Sequence, residues 1–342
     1  MLKSKEVIIF GTGGMLNIAI SELTNMGISV KYLCDNNESI QGSYINNLKV
    51  LKPDDLTAKS LPVLITSMYS KDIGKQLAKL HVLEFYDFSY AFDYKRWHGH
   101  FDLNRINNAE EEINQALEIL DDEQSKEVFL SLIHFRKTKN PTSIQPAEFP
   151  DYFHPKVSPQ KNDTIIDGGA WYGDSSLDFN NRLSTQCKIL AFEPDIENFK
   201  KLQKTIITKN MSASVTPVNA GLYNKKTSLY FKKEAENDMQ FQVQSEISEH
   251  KIEVVSIDTF AQEKQLENID FIKMDIEGSE IMALKGAVNT IIKDKPRLAI
   301  CIYHEFDDLW KIPLLVKQLN PNYQLYLGHH SQNLFETVLY AI

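Results

Sequence analysis

Two short stretches constrain the fold more than anything else in the chain: "IFGTGGML" at residues 9–16 and "DTIIDGGAWYGDSS" at residues 163–176. Each carries an apolar run into a cluster of glycines and then into a polar, helix-like segment. A short apolar run bounded by glycine reads as a strand buried on both faces. A strand that feeds through a tight turn into a helix opens a parallel α/β sheet. A single core stops growing at roughly 250–300 residues. Two such openings in 342 residues therefore imply two sheets and two domains.

The pattern around each opening agrees. In the first segment, residues 7–10, 29–33, 61–65 and 82–86 read as strands, and 16–26 and 72–80 as helices. From 104 to 139, Ile113, Leu117, Leu120, Val128, Leu132 and Phe135 recur at three- and four-residue steps, the spacing of amphipathic helices. The proline-punctuated "KNPTSIQPAEFP" closes that region. Beyond it, strands are expected at 164–166, 189–192, 215–218, 271–274, 297–302, 323–327 and 337–341, with helices at 175–183, 196–209, 279–292 and 308–319. The last two strands form a hairpin around "GHHSQN". The fold class is α/β: two doubly wound Rossmann-like domains, residues 1–95 and 151–342, joined by a helical connector and linker over 96–150. The polar stretch 232–250 has no core pattern and is expected as a surface loop over a site.

Charge narrows the partners. With 37 basic and 46 acidic residues the net charge is −9, which offers no general attraction for a phosphate backbone, so no nucleic acid partner is expected. The lysines before residue 7 precede an apolar run too short for a signal peptide, and no window is long enough to span a bilayer, so no membrane insertion is expected. Cys34, Cys187 and Cys301 are scattered and odd in number, as reduced thiols of a cytoplasmic protein would be.

The second opening carries the chemistry. Its turn, framed by Asp167, Gly169 and Gly173, points backbone N–H groups above the sheet and lets a ligand approach the main chain. Glu193 ends the next strand, at the distance where dinucleotide folds place an acid on ribose hydroxyls. A later strand ends in "FIKMDIEGSEIMALKGA", which puts Asp275 and Glu277 over the same edge. Such acids beside a glycine turn suit a ligand with a ribose and a positive charge.

Taken in order, "IIDGGAWYGDSS", "FEPD", "VNAGLYN", "VSIDTF" and "IDFIKMDIEGSEIMALKGA" resemble the FkbM family of S-adenosylmethionine-dependent methyltransferases, from about Tyr152 to the end of the sequence. The resemblance implies a class I methyltransferase fold, S-adenosyl-L-methionine as cofactor, and O-methylation of a small-molecule or glycan acceptor. It implies that Asp167, Gly169 and Ala170 lie along the methionine part, Glu193 takes the ribose, and Asn219 and Ala220 border the adenine. Gly168, Gly173, Ser175 and Pro194 complete that surface, and Asp275 lies near the sulfonium and the acceptor.

Methyl transfer to oxygen requires removal of a hydroxyl proton. The candidates are Asp275, Glu277, His304 and His329. Glu277 has a competing reading as the acid at a helix N-terminus, and the two histidines as ordinary turn residues. Trp171 and Tyr172 either cover the cofactor or simply pack. No metal is expected, because "HEFDD" at 304–308 lacks the second histidine of H-E-x-x-H and no Cys/His cluster has zinc spacing.

The first opening places Gly11, Gly13 and Gly14 ahead of Asp35 at the end of the next strand. It resembles the Rossmann-like N-terminal domains of some bacterial sugar-modifying enzymes. Two readings stay open: a nucleotide or nucleotide-sugar site that presents the acceptor, or a degenerate Rossmann domain used for homodimer contacts or rigidity. Other functions compete for the whole chain. An NAD(P)-dependent oxidoreductase of the short-chain type needs Tyr-x-x-x-Lys after its glycine turn, whereas Tyr152 and Lys156 stand before it and enclose Pro155. An amino-methylating enzyme often carries Asn/Asp-Pro-Pro-Tyr, and the similar "NPNY" at 320–323 comes too late in the chain. A non-catalytic nucleotide-sugar-binding protein has no use for intact acids at Asp167, Glu193 and Asp275.

Overall fold

A computed structural model describes residues 4–231, 243–244 and 250–342. It divides into two compact units. The first comprises Met1–Glu111, Lys126–Pro146 and His329–Phe335; the second comprises Glu112–Ser125, Ala147–Gly328 and Glu336–Ile342.

The first unit is built on six strands: β1 (Glu6–Phe10), β2 (Ser29–Cys34), β3 (Tyr44–Ile45), β4 (Leu48–Leu51), β5 (Val63–Ile65) and β6 (Phe85–Asp87). Their order across the sheet is β3-β4-β2-β1-β5-β6, and only the β3–β4 pair is antiparallel. Val7 to Phe10 are buried because helices cover both faces, as the unbroken apolar run requires. Helix Leu16–Asn25 turns Leu16, Ala19 and Leu23 inward, and helix Ser70–Lys79 turns Ile73 and Leu77. The last strand starts three residues later than the sequence pattern suggests. The helix before it runs to Lys79, and His81 then takes a left-handed conformation that spends the next residues on the turn.

The second unit holds β7 (Thr164–Gly168), β8 (Lys188–Phe192), β9 (Val215–Val218), β10 (Gly221–Leu222), β11 (Thr227–Phe231), β12 (Val243–Gln244), β13 (His250–Val255), β14 (Phe271–Met274), β15 (Arg297–Cys301), β16 (Leu325–His329) and β17 (Thr337–Ala341), with His329 itself grouped in the first unit. Seven of them form one sheet in the order β16-β17-β15-β14-β7-β8-β9. It is parallel from β15 to β9, and β17 returns antiparallel to β15. The chain starts this sheet at β7, builds outward through β8 and β9, then crosses to β14 on the other side. The topological switch point therefore lies between β7 and β14, where open α/β sheets form their ligand crevice.

Three features depart from the sequence pattern. A second sheet, β10-β13-β11-β12, follows β9. The helix expected over 279–292 is two helices, Glu280–Lys285 and Val288–Asp294. They part at Gly286, where any Cβ would collide with the Tyr223 carbonyl oxygen. The strand expected from 323 begins at Leu325, and Tyr323 instead donates its hydroxyl to the Pro296 carbonyl at 2.6 Å. Apart from β12 and His250, the loop expected over 232–250 lies outside the described residues.

Candidate active site at the carboxyl edge of the second sheet

The switch point is held open by one glycine. Gly169 follows β7 with φ +74°, and a Cβ there would strike the Asp275 carbonyl oxygen. The ends of β7 and β14 approach that closely, and the Asp275 N–H donates to Gly168 O at 3.1 Å. The two acidic strand ends read from the sequence are thus brought to one place.

Beneath the turn lies a buried ion pair. Asp167 is fully buried; its Oδ2 accepts from Ser175 Oγ at 2.8 Å and Ser176 Oγ at 2.6 Å, and its Oδ1 stands 3.2 Å from Lys273 Nζ. Lys273 also donates to the carbonyls of Gly168 at 3.0 Å and Gly169 at 2.8 Å. Burial works against the lysine's charge, but the carboxylates of Asp167 and Asp275 outweigh it and hold the ammonium protonated. Asp167 and Ser175, expected against the cofactor, therefore build the floor of the turn. Lys273, Ser176 and the pair they complete were not read from the sequence. A lysine inside the otherwise apolar strand "FIKM" was the available signal.

The turn's N–H groups are also committed, contrary to the expectation that they face a ligand. Those of Gly169 and Ala170 donate to Phe192 O at 3.1 and 2.9 Å, and that of Gly173 to Ala170 O. The Trp171 N–H donates to Glu193 Oε2 at 3.0 Å. These bonds lock the turn onto β8, so its contribution to a ligand is close approach to the main chain.

Glu193 Oε1 accepts a second N–H, from Asp195 at 2.9 Å. Burial outweighs both bonds, with the Asp195 carboxylate adding to it, and pushes the Glu193 carboxyl up to about 7. The Asn219 amide donates to the carbonyls of Glu193 at 2.9 Å and Pro194 at 3.1 Å, which pins the segment after β8 against the end of β9. Ala220 N–H bonds Val218 O. Trp171 and Tyr172 stack with centroids 3.9 Å apart, and among the described residues the buried Trp171 indole N–H has no hydrogen-bond partner.

On the other side of the switch point, Asp275 is the carboxylate presented to the crevice, its side chain 26% exposed. Tyr152 and Tyr303 hydroxyls donate to its two oxygens at 3.3 and 3.4 Å. His304 Nε2 lies 3.2 Å from Asp275 Oδ1 and 3.8 Å from Glu277 Oε2, while Nδ1 lies 2.9 Å from Glu280 Oε1. Burial alone would raise the Asp275 carboxyl; the His304 contact and the Lys273 charge hold it well below the usual carboxylate range. Burial likewise opposes charge on His304, and the carboxylates of Glu280 and Glu277 overcome it, holding the imidazole protonated. Glu336, just before β17, is pushed up to about 8 by burial and by the charges of Asp275 and Asp151.

His304 meets the sequence expectation in place but not in access, being 1% exposed. Glu280, not Glu277, serves the start of the helix, since its Oε1 accepts the Ile276 N–H at 2.9 Å. Glu277 takes a left-handed conformation and stays at the rim, 33% exposed. His329 is grouped with the first unit and fully buried; its Nε2 lies 3.3 Å from Ser331 Oγ. Burial and the charges of His330, Lys71 and Arg136 lower it to about 3, so it is a neutral buried ring and is not carried forward as a base. Among the described residues, no group of three or more His, Cys, Asp or Glu is disposed to hold a metal ion.

In the first unit the glycine turn is closed by its acid in the same way as Glu193 closes on Trp171. Asp35, in the position of a ribose acid, accepts from Thr12 N–H at 2.9 Å and Thr12 Oγ at 2.7 Å, so it fastens its own turn.

The pieces at the second switch point fit S-adenosylmethionine: a glycine passage against the main chain, an acid at the end of β8, and an ionised acid at the end of β14. The family model for this part of the chain agrees. Residues 167–330 match the family model described as methyltransferase FkbM domain, and residues 3–85 match the model described as C2185-like, N-terminal. The chain is similar to the crystal structure of methyltransferase FkbM from Methylobacillus flagellatus KT, with TM-score 0.73 and 24% identity over 99% of this chain and 90% of that one. An O-methyltransferase from Bacillus cereus in complex with SAH aligns at TM-score 0.35 and 11% identity, over 52% of this chain and 73% of that one. Fibrillarin from Aeropyrum pernix aligns at TM-score 0.34 and 11% identity, over 54% and 67%. No curated protein sequence matches the chain.

Proposed function

For a chain that carries a methyltransferase domain of the FkbM family and takes its methyl group from S-adenosylmethionine, we propose that the acceptor is a hydroxyl of a sugar or glycan precursor, destined for a bacterial cell-envelope polysaccharide. The observation that carries this reading is Asp275: an ionised, partly exposed carboxylate at the end of β14, flanked by two tyrosine hydroxyls and beside the glycine passage of β7.

S-adenosylmethionine supplies a methyl carbon already activated by a positive sulfur. What remains for the protein is to align an oxygen, receive its proton and exclude water. Gly168, Gly169 and Ala170 would admit the donor's methionine part, and Glu193 would take the ribose hydroxyls. Asp275 would accept a hydrogen bond from the acceptor hydroxyl, orient it, and take the proton as the new bond forms. Tyr152 and Tyr303 steady that carboxylate from both sides. Further hydroxyls on the acceptor would find a partner in Glu277 at the rim.

The test is to supply methyl-labelled donor together with nucleotide sugars and envelope glycans, and to locate the label by mass spectrometry and NMR. Methyl ethers on sugar oxygens are expected, and they should vanish with Asp275→Asn. Label on nitrogen, or undiminished transfer by that variant, would contradict the assignment.

A further inference from the structure

His304 has the residue type of a catalytic base and the surroundings of something else. Both ring nitrogens face carboxylate oxygens, Glu280 at 2.9 Å and Asp275 at 3.2 Å. Neither nitrogen is aligned on its carboxylate as a hydrogen bond, so these are charge contacts, which the doubly protonated ring makes with both acids at once. The ring is 1% exposed and neither nitrogen is turned to the crevice, so an acceptor hydroxyl has no lone pair there to reach. Its far partner, Glu280, is itself fully buried and fixed by the Ile276 N–H at 2.9 Å. A buried carboxylate tied to the backbone makes a rigid anchor.

We propose that His304 acts through Asp275. Seated between the anchored Glu280 and the strand end, it holds the position and the ionisation of the Asp275 carboxylate at the acceptor, and takes no proton from the acceptor itself. His304 is thus a positioning residue and Glu280 its support. The inference rests on the reading that Asp275 faces the acceptor.

The surrounding charges explain why such a brace is needed. Asp275 shares its end of the sheet with Glu277 in the loop after β14 and with Glu336 before β17, and the Asp275 and Glu336 carboxylates oppose each other's ionisation. Lys273 favours it from within β14 but is committed to Asp167 and two carbonyls. Asp308, at the start of helix Asp308–Leu319, also faces this group, and burial together with the Glu280 charge raises its carboxyl well above the usual range. Two like carboxylates placed together resist joint ionisation. A cation between Asp275 and Glu280 reverses that for Asp275, leaving Glu336 as the partner that stays protonated.

The sign of the pH effect follows. With His304 in place Asp275 stays ionised far into acid. Without it, burial and the Glu336 carboxylate push its titration upward, against what Lys273 and Cys301 still contribute. The experiment is a ¹³C titration of the Asp275 carboxyl in the full chain, assigned through Asp275→Asn and repeated in His304→Gln. S-adenosylhomocysteine calorimetry checks that each variant is folded. The wild-type carboxyl should show no titration down to about pH 4, and the midpoint in His304→Gln should move up by about two units or more. The ¹⁵N spectrum of the imidazole gives an arm that survives misfolding of that variant. Wild-type His304 should remain doubly protonated through about pH 8, and in Glu280→Gln it should titrate closer to its ordinary value of about 6.5. A neutral His304 at pH 7 in the wild type, or an Asp275 midpoint that stays put in His304→Gln, overturns the proposal. Neither arm needs the acceptor, so the outcome is separate from that of the oxygen-methylation test.

Discussion

Among single residues, Lys273 and Glu193 have the sharpest consequences. Lys273 sits 2% exposed beside a fully buried Asp167, so removing the cation strands an anion in the core. Lys273→Met is predicted to cost about 3–5 kcal/mol in urea denaturation. The double variant Lys273→Met/Asp167→Asn should recover part of that loss, because it removes the stranded charge as well. Equal loss in both would mean that the two serines, not the ion pair, hold the turn. Glu193 predicts a pH dependence. Its carboxyl is raised to about 7 in the folded protein. The stability it contributes is full below its unfolded value of about 4.3 and is lost as pH rises through 7. Ribose hydroxyls favour the ionised form, so affinity for S-adenosylhomocysteine should rise from pH 6 to 8 and then level off. Calorimetry of Glu193→Gln across that range should give a flat line, and a wild-type slope retained in the variant would remove Glu193 from the ribose.

The strand ends and their turns are the elements that make the crevice. Gly169→Ala should weaken S-adenosylhomocysteine binding by at least about tenfold and lower the melting temperature, because the new Cβ demands a left-handed alanine and displaces the Asp275 carbonyl. Unchanged affinity in calorimetry would mean that the β7–β14 approach is not where the donor sits. This scale also shows what a reader of the sequence can and cannot see. The seven strands of the larger sheet were legible because they are short, largely apolar runs, three of which (β7, β8 and β14) end at an acid or a glycine, and burial on both faces writes itself as such a run. The acids Asp167, Glu193 and Asp275 were legible because strand ends are where an ionisable residue stands out. The sheet β10-β13-β11-β12 was not, since two of its strands are only two residues long and leave no period to detect. The partners Tyr152 and Glu336 come from distant positions and meet Asp275 only through tertiary packing, as Glu280 meets His304. The roles of the histidines were equally hidden, because a sequence shows that His304 follows a strand but not that both its nitrogens face carboxylates.

For the whole molecule, two parallel sheets with comparable openings pose the question of where the donor goes. The two turns differ in one respect that decides it. The acid in the ribose position accepts an N–H of its own turn in each, Asp35 from Thr12 and Glu193 from Trp171. In the second unit, the acid after β8 also lies beside a switch point whose opposite wall presents the ionised Asp275. No helix among the described residues is long and apolar enough to cross a membrane. A crystal structure of the full chain with S-adenosylhomocysteine tests this most directly. The nucleoside is predicted over the ends of β7 and β8, ribose on Glu193 and sulfur toward Asp275. Density for it over the Gly11–Gly14 turn instead, with the β7–β14 crevice empty, would contradict the account.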